Sequence, residues 1–421
     1  MLTAIVGINW GDEGKGRMVD LLSADYDIIC RYQGGNNAGH TVVNDRGKFI
    51  LNLLPSGILR ETTVNIMGNG MVIDIEHLVN EAGKLREQGI KITPDNLKIS
   101  DKAIICLPYH RLMDIMEEDR LADKKFGSTR RGIAPVYADK YMKKALRMED
   151  LLDMDSLYEK VKDIVEWKNI TVKGYDHEPV DADEIMDWLK KYGSEVAPYI
   201  TDVSDYLYQA AAEGRNIMFE AQLGALRDID FGIYPYTSSS TTLASFAPIG
   251  AGVPGLTLTG TLGIMKAYST CVGEGPFTVE MSGDEAEALR KAGGEYGAAT
   301  GRPRRVGAFD IPASKYGVRV QGATEIALTK LDVLSYMDKI PVCTAYEIDG
   351  IKTTAFPTGQ RLLRAKPVIE YLPGFGDVSK CRTYEELPQA AKDYIAYIEK
   401  AVACKITYVS VGAGRDEYIK L

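Results

Sequence analysis

The stretch that most constrains the fold lies in the first 26 residues. TAIVGI (3–8) is β-rich and runs into glycines, GINWGDEGKG (7–16) is glycine-rich, and RMVDLLSADY (17–26) spaces Met18, Leu21 and Leu22 along one helix face. A strand, a glycine loop and a helix in that order bring backbone N–H groups and a helix N-terminus to a place where an anion can sit. The alternation recurs. YDIICRYQ (26–33) predicts a second strand before a Gly/Asn loop, GGNNAGHT (34–41), and VVNDRGKFILNLL predicts a hairpin turned at Asn44-Asp45-Arg46-Gly47. The spacing predicts helices over 74–88, 108–122, 149–166 and 181–192. NIMFEAQL (216–223) and ATEIALTKLDVL (323–334) read as strands, YTSSSTT (236–242) as a polar loop, LPQAAKDYIAYIEKAVA (387–403) as an amphipathic helix, and KITYVSVG (405–412) as a last strand. Strands alternating with helices predict an α/β fold: a large, mostly parallel central sheet with helices on both faces, a P-loop-like nucleotide site and smaller excursions. With no repeat, low-complexity tract or linker, residues 1–421 read as one domain.

Composition narrows the function. The net charge of −9 argues against a general nucleic-acid binder, which needs a basic field. No apolar run approaches the roughly 18 residues of a membrane span, and the N-terminus shows no secretory pattern. The six cysteines (30, 106, 271, 343, 381 and 404) are scattered with no CxxC pair, so they read as reduced thiols. A cytoplasmic location is the expectation.

The opening loop departs from GxxxxGK[ST]: Asn9 stands where the first glycine belongs, and Gly16 where Ser or Thr would hold magnesium. One reading is a plain glycine turn at a strand end. The other has backbone amides and Lys15 holding phosphate while Asp12 holds a metal or accepts a proton. Glu13 has no role in either. His40, one of four histidines, follows a glycine loop at a strand end, where ligands bind in open α/β sheets. His77, His110 and His177 receive no role. ALTKLD (327–332) is similar to the guanine-reading NKxD element, with Thr329 in place of Asn. An aspartate there can accept from both N1–H and the 2-amino group of guanine, and the lysine stem can lie on the base. TGRPRRVG (300–307) gathers three arginines whose forks match carboxylates and phosphates, unless it is a solvated basic loop. Lys140, Lys143, Lys144 and Arg147 have the spacing of a solvated helix face.

Taken in order, these pieces resemble the adenylosuccinate synthetase family nearly end to end. The matching motifs are WGDEGKG (10–16), RYQGGNNAGHT (31–41), LPSGILR (54–60), GNG (68–70), GSTRRGIAP (127–135) and DID (228–230). YPYTSS (234–239), KAYST (266–270), TGRPRR (300–305), TKLDVL (329–334) and LPQAA (387–391) complete the series. The resemblance implies that IMP, L-aspartate and GTP give adenylosuccinate, GDP and phosphate through a 6-phosphoryl-IMP intermediate. It implies one Mg²⁺ per active site and a homodimer with a shared site, with no nucleic acid or membrane as partner. Asp12, His40 and Lys15 would be catalytic, with Asp12 as base, and Asp12 and the Gly39 carbonyl would hold the metal. GTP would meet Gly11, Gly14, Lys15, Gly16, Arg17, Gly39, His40, Thr41, Arg305, Lys330, Asp332, Ser410 and Gly412. IMP would meet Asp12, Lys15, Asn37, His40, Thr129, Lys143, Gln222, Thr237 and Arg304. Aspartate would meet Val272, Thr300, Arg302 and Arg304.

Five departures stand out. Asn36 replaces a frequent histidine, and FEAQLG (219–224) puts Leu223 where the family often has glutamine, with Gln222 one place earlier. Lys143 replaces an arginine that reaches the partner's IMP phosphate. Cys271 replaces the arginine of a KAYSTR-like stretch, and Pro303 interrupts the arginine run. Rival readings are the same chemistry on a guanine nucleotide, a GTP-binding switch without ligase activity, and a catalytically dead paralogue. The last is disfavoured by the presence of Asp12, Lys15, His40 and Asp332.

Overall fold

The computed structural model describes residues 1–44, 47–297, 301 and 303–421, with backbone alone at 41, 43 and 44. Among these residues a ten-stranded sheet runs in the order Tyr418–Lys420, Ile406–Ser410, Glu325–Thr329, Gly260–Lys266, Leu2–Gly7, Ile217–Glu220, Ile28–Arg31, Val64–Met67, Leu97–Ser100 and Ile200–Thr201. All neighbours pair in parallel except the last two strands of the chain. The parallel strands therefore end on one edge, and their following loops converge there.

The first strand shows why both faces are covered. Ile5 packs with Met18 and Val19 under the first helix, while Ala4 and Val6 face Val203 and Leu207 on the other side. A parallel strand buried on both faces carries a near-continuous apolar run, which AIVG at 4–7 provides.

The predicted helices appear at Ile75–Glu87, Pro108–Leu121 and Ala182–Val196, and the late one at Gln389–Val402 buries Ala391, Tyr394, Ile395, Ile398 and Val402. The helix expected over 149–166 is corrected to Met154–Gly174. Asp153 caps it by accepting from the Ser156 N–H, and a separate 3-10 turn spans Met148–Leu152. The helix at Ile133–Met142 ends at Lys143, whose φ of 61° is left-handed. Of the expected basic face only Lys140 lies on that helix, so the face does not exist. The hairpin forms from His40–Asn44 and Gly47–Leu51, and its predicted turn residues 45 and 46 lie outside the described residues. A second sheet joins Phe309–Asp310, Lys339–Ile348, Ile351–Thr353 and Lys366–Pro373, and the sequence did not predict it.

Candidate active site

The glycine loop is held from inside. Glu13 is buried; its Oε1 accepts the N–H groups of Asn9 at 3.1 Å and Gly11 at 2.8 Å, and its Oε2 accepts Lys15 Nζ at 2.7 Å. This is the role that sequence reasoning missed. Gly11 and Gly14 have φ of 100° and 99°, with Asp12 left-handed between them at 62°, a conformation that aspartate tolerates better than most residues. These turns send the two acids opposite ways. Glu13 points inward, while the Asp12 carboxylate stays about one-third exposed and meets Arg304 Nη2 at 2.9 Å.

His40 stands against the first helix. A Cβ on Gly16 would lie 2.5 Å from His40 Cδ2 and 3.1 Å from Cγ, so the imidazole fills the space that a Ser or Thr side chain would need. The ring is set by a relay. Ser56 Oγ donates to Glu220 Oε1 at 2.7 Å, and His40 Nε2 lies 2.8 Å from the same hydroxyl. A hydroxyl has one proton to give, so Nε2 carries the imidazole proton and Nδ1 is the acceptor in the neutral ring. Burial, only partly offset by Glu220, pushes His40 down to about 4, and the ring is neutral at neutral pH.

At the far side, Glu295 is fully buried and accepts Lys330 Nζ at 2.7 Å, Lys266 Nζ at 2.9 Å, Tyr268 Oη at 2.5 Å and Arg304 Nη1 at 2.9 Å. Burial alone would raise its carboxyl; Lys266 and Lys330 overcome that and hold it below the usual range. Asp332, half-buried after the left-handed Lys330, keeps Oδ1 out of water with no hydrogen-bond partner among the described residues. Burial pushes its carboxyl up, against Lys330 and Arg17. An orphaned acceptor at a strand end is what a ligand donor would satisfy.

A sequence profile described as "Adenylosuccinate synthetase" matches residues 4–419. The chain belongs to the adenylosuccinate synthetase family. It is 46% identical to the adenylosuccinate synthetase of Halothermothrix orenii over 419 residues, which is 99% of this chain and 97% of that one. It is 43% identical to that of Clostridium novyi over 417 residues, 99% of this chain and 98% of that one. The fully ligated adenylosuccinate synthetase of Plasmodium falciparum superposes with a TM-score of 0.93 at 34% identity, covering 100% and 99% of the two chains. A cyanophage S-2L succinoaminodeoxyadenylate synthetase has a TM-score of 0.63 at 18% identity over 100% and 95% of the chains, a likeness of fold alone.

The remaining residues expected from this family fall in several settings. Arg17 Nη1 bonds to Ser410 Oγ at 2.8 Å and to the Gly412 carbonyl, and Nη2 bonds to the Gly414 carbonyl, so it holds the last loop together. Arg305 pairs with Glu280 and donates to the Gly275 carbonyl at 2.8 Å. Gln222 Nε2 donates to the Gly35 carbonyl at 2.8 Å, and its buried Oε1 has no hydrogen-bond partner among the described residues. Asn37 Oδ1 accepts from the Gly35 N–H, and Gly39 is exposed beside His40. Thr129 and Lys143 are exposed on loops. Thr300 and Arg302 lie outside the described residues, and Thr41 is described by its backbone alone.

Arg227 was not anticipated. Its buried guanidinium donates to the Tyr236 and Val272 carbonyls and to Cys271 Sγ at 3.1 Å, tying the loop that carries Thr237 to the one that carries Val272. Cys271 thus stands beside a guanidinium supplied from another loop. Ser56 and Glu220 were also missed, although LPSGILR was a matched motif and Glu220 is a carboxylate closing an otherwise apolar strand.

Proposed function

We infer that this site joins IMP to L-aspartate at the expense of GTP, forming adenylosuccinate, GDP and phosphate. Family membership carries the reaction. The single observation that carries the assignment of Asp12 is the division of labour in the loop: Glu13 is turned inward on Lys15 and two amides, and Asp12 is left outward and accessible.

In this reading Asp12 takes the proton from N1 of IMP, and O6 attacks the γ-phosphorus of GTP. The O6–P bond forms as the β,γ-bridging P–O bond breaks and GDP departs. The amino group of L-aspartate then adds at C6 and phosphate leaves. A purine oxo group leaves poorly on its own, and phosphorylation converts it into a good leaving group. Lys15 meets the phosphates. His40, neutral in the free chain, gains a proton on Nδ1 when an anionic phosphoryl group arrives, since a nearby negative charge favours the imidazolium. The Asp332 Oδ1 orphan suits a guanine N–H, and Lys330, its ammonium anchored on Glu295 and the Gly293 carbonyl, leaves its stem for the base. Arg304 would meet IMP and the aspartate carboxylate.

The donor set also fits Mg²⁺. No group of three or more His, Cys, Asp or Glu among the described residues could cage a metal. An outward Asp12 carboxylate and the Gly39 carbonyl offer hard oxygens to an ion that keeps waters and phosphate oxygens as its other ligands. Bound there, Mg²⁺ would offset charge on the transferring phosphoryl group.

We read residues 1–421 as one domain, because the central sheet draws on strands from Leu2 to Lys420. A homodimer, with Lys143 directed at the partner's IMP phosphate, extends the family likeness to an exposed loop. No helix among the described residues is long and apolar enough to cross a membrane. The six cysteines are unpaired, consistent with a reducing cytoplasm.

The test is phosphate release from GTP and Mg²⁺ with and without IMP and L-aspartate, with the product identified by mass. Release that ignores both cosubstrates, or that needs guanosine monophosphate in place of IMP, would overturn the reading.

A further inference from the structure

We propose that Glu295 is a positioning residue that couples the guanine subsite to Asp12. The inference rests on the roles given above to Lys330, Asp12 and Arg304.

Glu295 follows the Gly283–Gly293 helix and has no exposure to solvent. Its Oε1 serves Lys330 of the base-reading loop together with Lys266 and Tyr268, and its Oε2 serves Arg304. Arg304 gives its other nitrogen to Asp12 at 2.9 Å, and its own N–H donates to the Glu295 carbonyl at 2.9 Å. An unbroken line of charge contacts thus runs Lys330, Glu295, Arg304, Asp12. Three cations share one buried carboxylate, whose Oε1 holds Lys330 and whose Oε2 holds Arg304, so a shift of the Glu295 side chain moves both contacts together. Lys330 and Arg304 are held as a unit. Whatever fixes Lys330 against a base also fixes Arg304, and by linkage the converse holds equally.

The same chain explains how Asp12 becomes free. While Arg304 holds it, an oxygen of the Asp12 carboxylate is occupied by the guanidinium at 2.9 Å. A second carboxylate arriving at Arg304, that of the amino-acid substrate, competes for the guanidinium and releases Asp12. Nucleotide occupancy at Asp332 and Lys330 and amino-acid occupancy at Arg304 therefore reinforce each other through Glu295.

Titration calorimetry of GDP on the full chain, with and without saturating IMP and L-aspartate, reads this coupling without turnover. In the wild-type chain the cosubstrates tighten GDP binding about tenfold. In Glu295→Gln the ratio falls below about twofold while GDP alone still binds. Because Gln leaves three cations facing a neutral group, Glu295→Asp serves as a charge-conserving second variant. Its carboxylate is one methylene shorter and cannot span Lys330 and Arg304 together, so the ratio falls here too. A merely structural Glu295 would lower the melting temperature and leave the ratio alone. A wild-type ratio in either folded variant, or a ratio of one in the wild-type chain, overturns the proposal. Absence of GDP binding to the wild-type chain would instead remove the functional reading and this coupling with it.

Discussion

Arg304 Nη2 and Asp12 Oδ2 are 2.9 Å apart. The candidate base and a candidate substrate-binding arginine are paired in the free chain, so the freedom of the Asp12 carboxylate to meet a substrate depends on what else Arg304 holds. Asp12→Asn keeps the shape of the loop and leaves the Glu13 clamp untouched. Turnover should fall about 10³-fold while GTP affinity stays within about threefold. Phosphate release and calorimetry measure the two quantities, and near-normal turnover would remove Asp12 as the base.

Gly16 carries a steric prediction. Gly16→Ser restores the hydroxyl of an ordinary phosphate loop but drives Cβ to within 2.5 Å of His40 Cδ2. Displacing that ring should lower kcat about 100-fold, the scale expected when a catalytic group is moved by an ångström. Steady-state kinetics beside a thermal melt separate misplacement from unfolding. Unimpaired kcat in a folded variant would show that the ring position does not matter.

His40 predicts a pH effect. With its folded value near 4 and an unfolded value of about 6.5, the unfolded chain binds a proton between those limits that the folded chain refuses. Stability therefore falls as pH drops from about 6.5 towards 4 and does not fall further from this source below that. The ring C–H resonances of the ligand-free chain should titrate with a midpoint near 4. A midpoint at or above the ordinary histidine value would contradict the buried Ser56–Glu220 relay.

Asp332 sets the base. Asp332→Asn replaces one acceptor of the guanine N–H pair with a donor, which suits a base bearing a carbonyl at C2. GTP use should weaken about 100-fold relative to xanthosine triphosphate, the scale of one buried charge-assisted hydrogen bond. Competition assays between the two triphosphates give the ratio, and an unchanged preference for GTP would exclude Asp332 from base recognition.

How much of this was legible in the sequence depended on the distance between partners. The loop at 7–16 was readable because its strand, glycines and helix are contiguous. The inward turn of Glu13 was not, since it follows from left-handed torsions at Gly11, Asp12 and Gly14 that residue types permit without dictating. Ser56 and Glu220 lie 164 residues apart and meet because the Ser56–Leu59 turn packs on the strand ending at Arg31, the sheet neighbour of the strand ending at Glu220. The Lys339–Ile348 strand escaped notice because Pro341 interrupts it, and proline ordinarily demotes such a run. Here it pairs opposite Tyr371 in an antiparallel ladder. The helix expected from 149 begins at Met154 because Asp153 caps it, a signal present in the sequence but outweighed by the apolar spacing upstream of it.

The contact between Gly16 and His40 also bears on how such loops change over time. The imidazole and a hydroxyl-bearing side chain at position 16 exclude each other, so neither position can be exchanged alone without passing through a crowded or an empty intermediate. A lineage that adopted the histidine on the hairpin committed the helix start to glycine, and one that keeps the hydroxyl leaves no room for the histidine. The two positions are expected to vary together as a single inherited character.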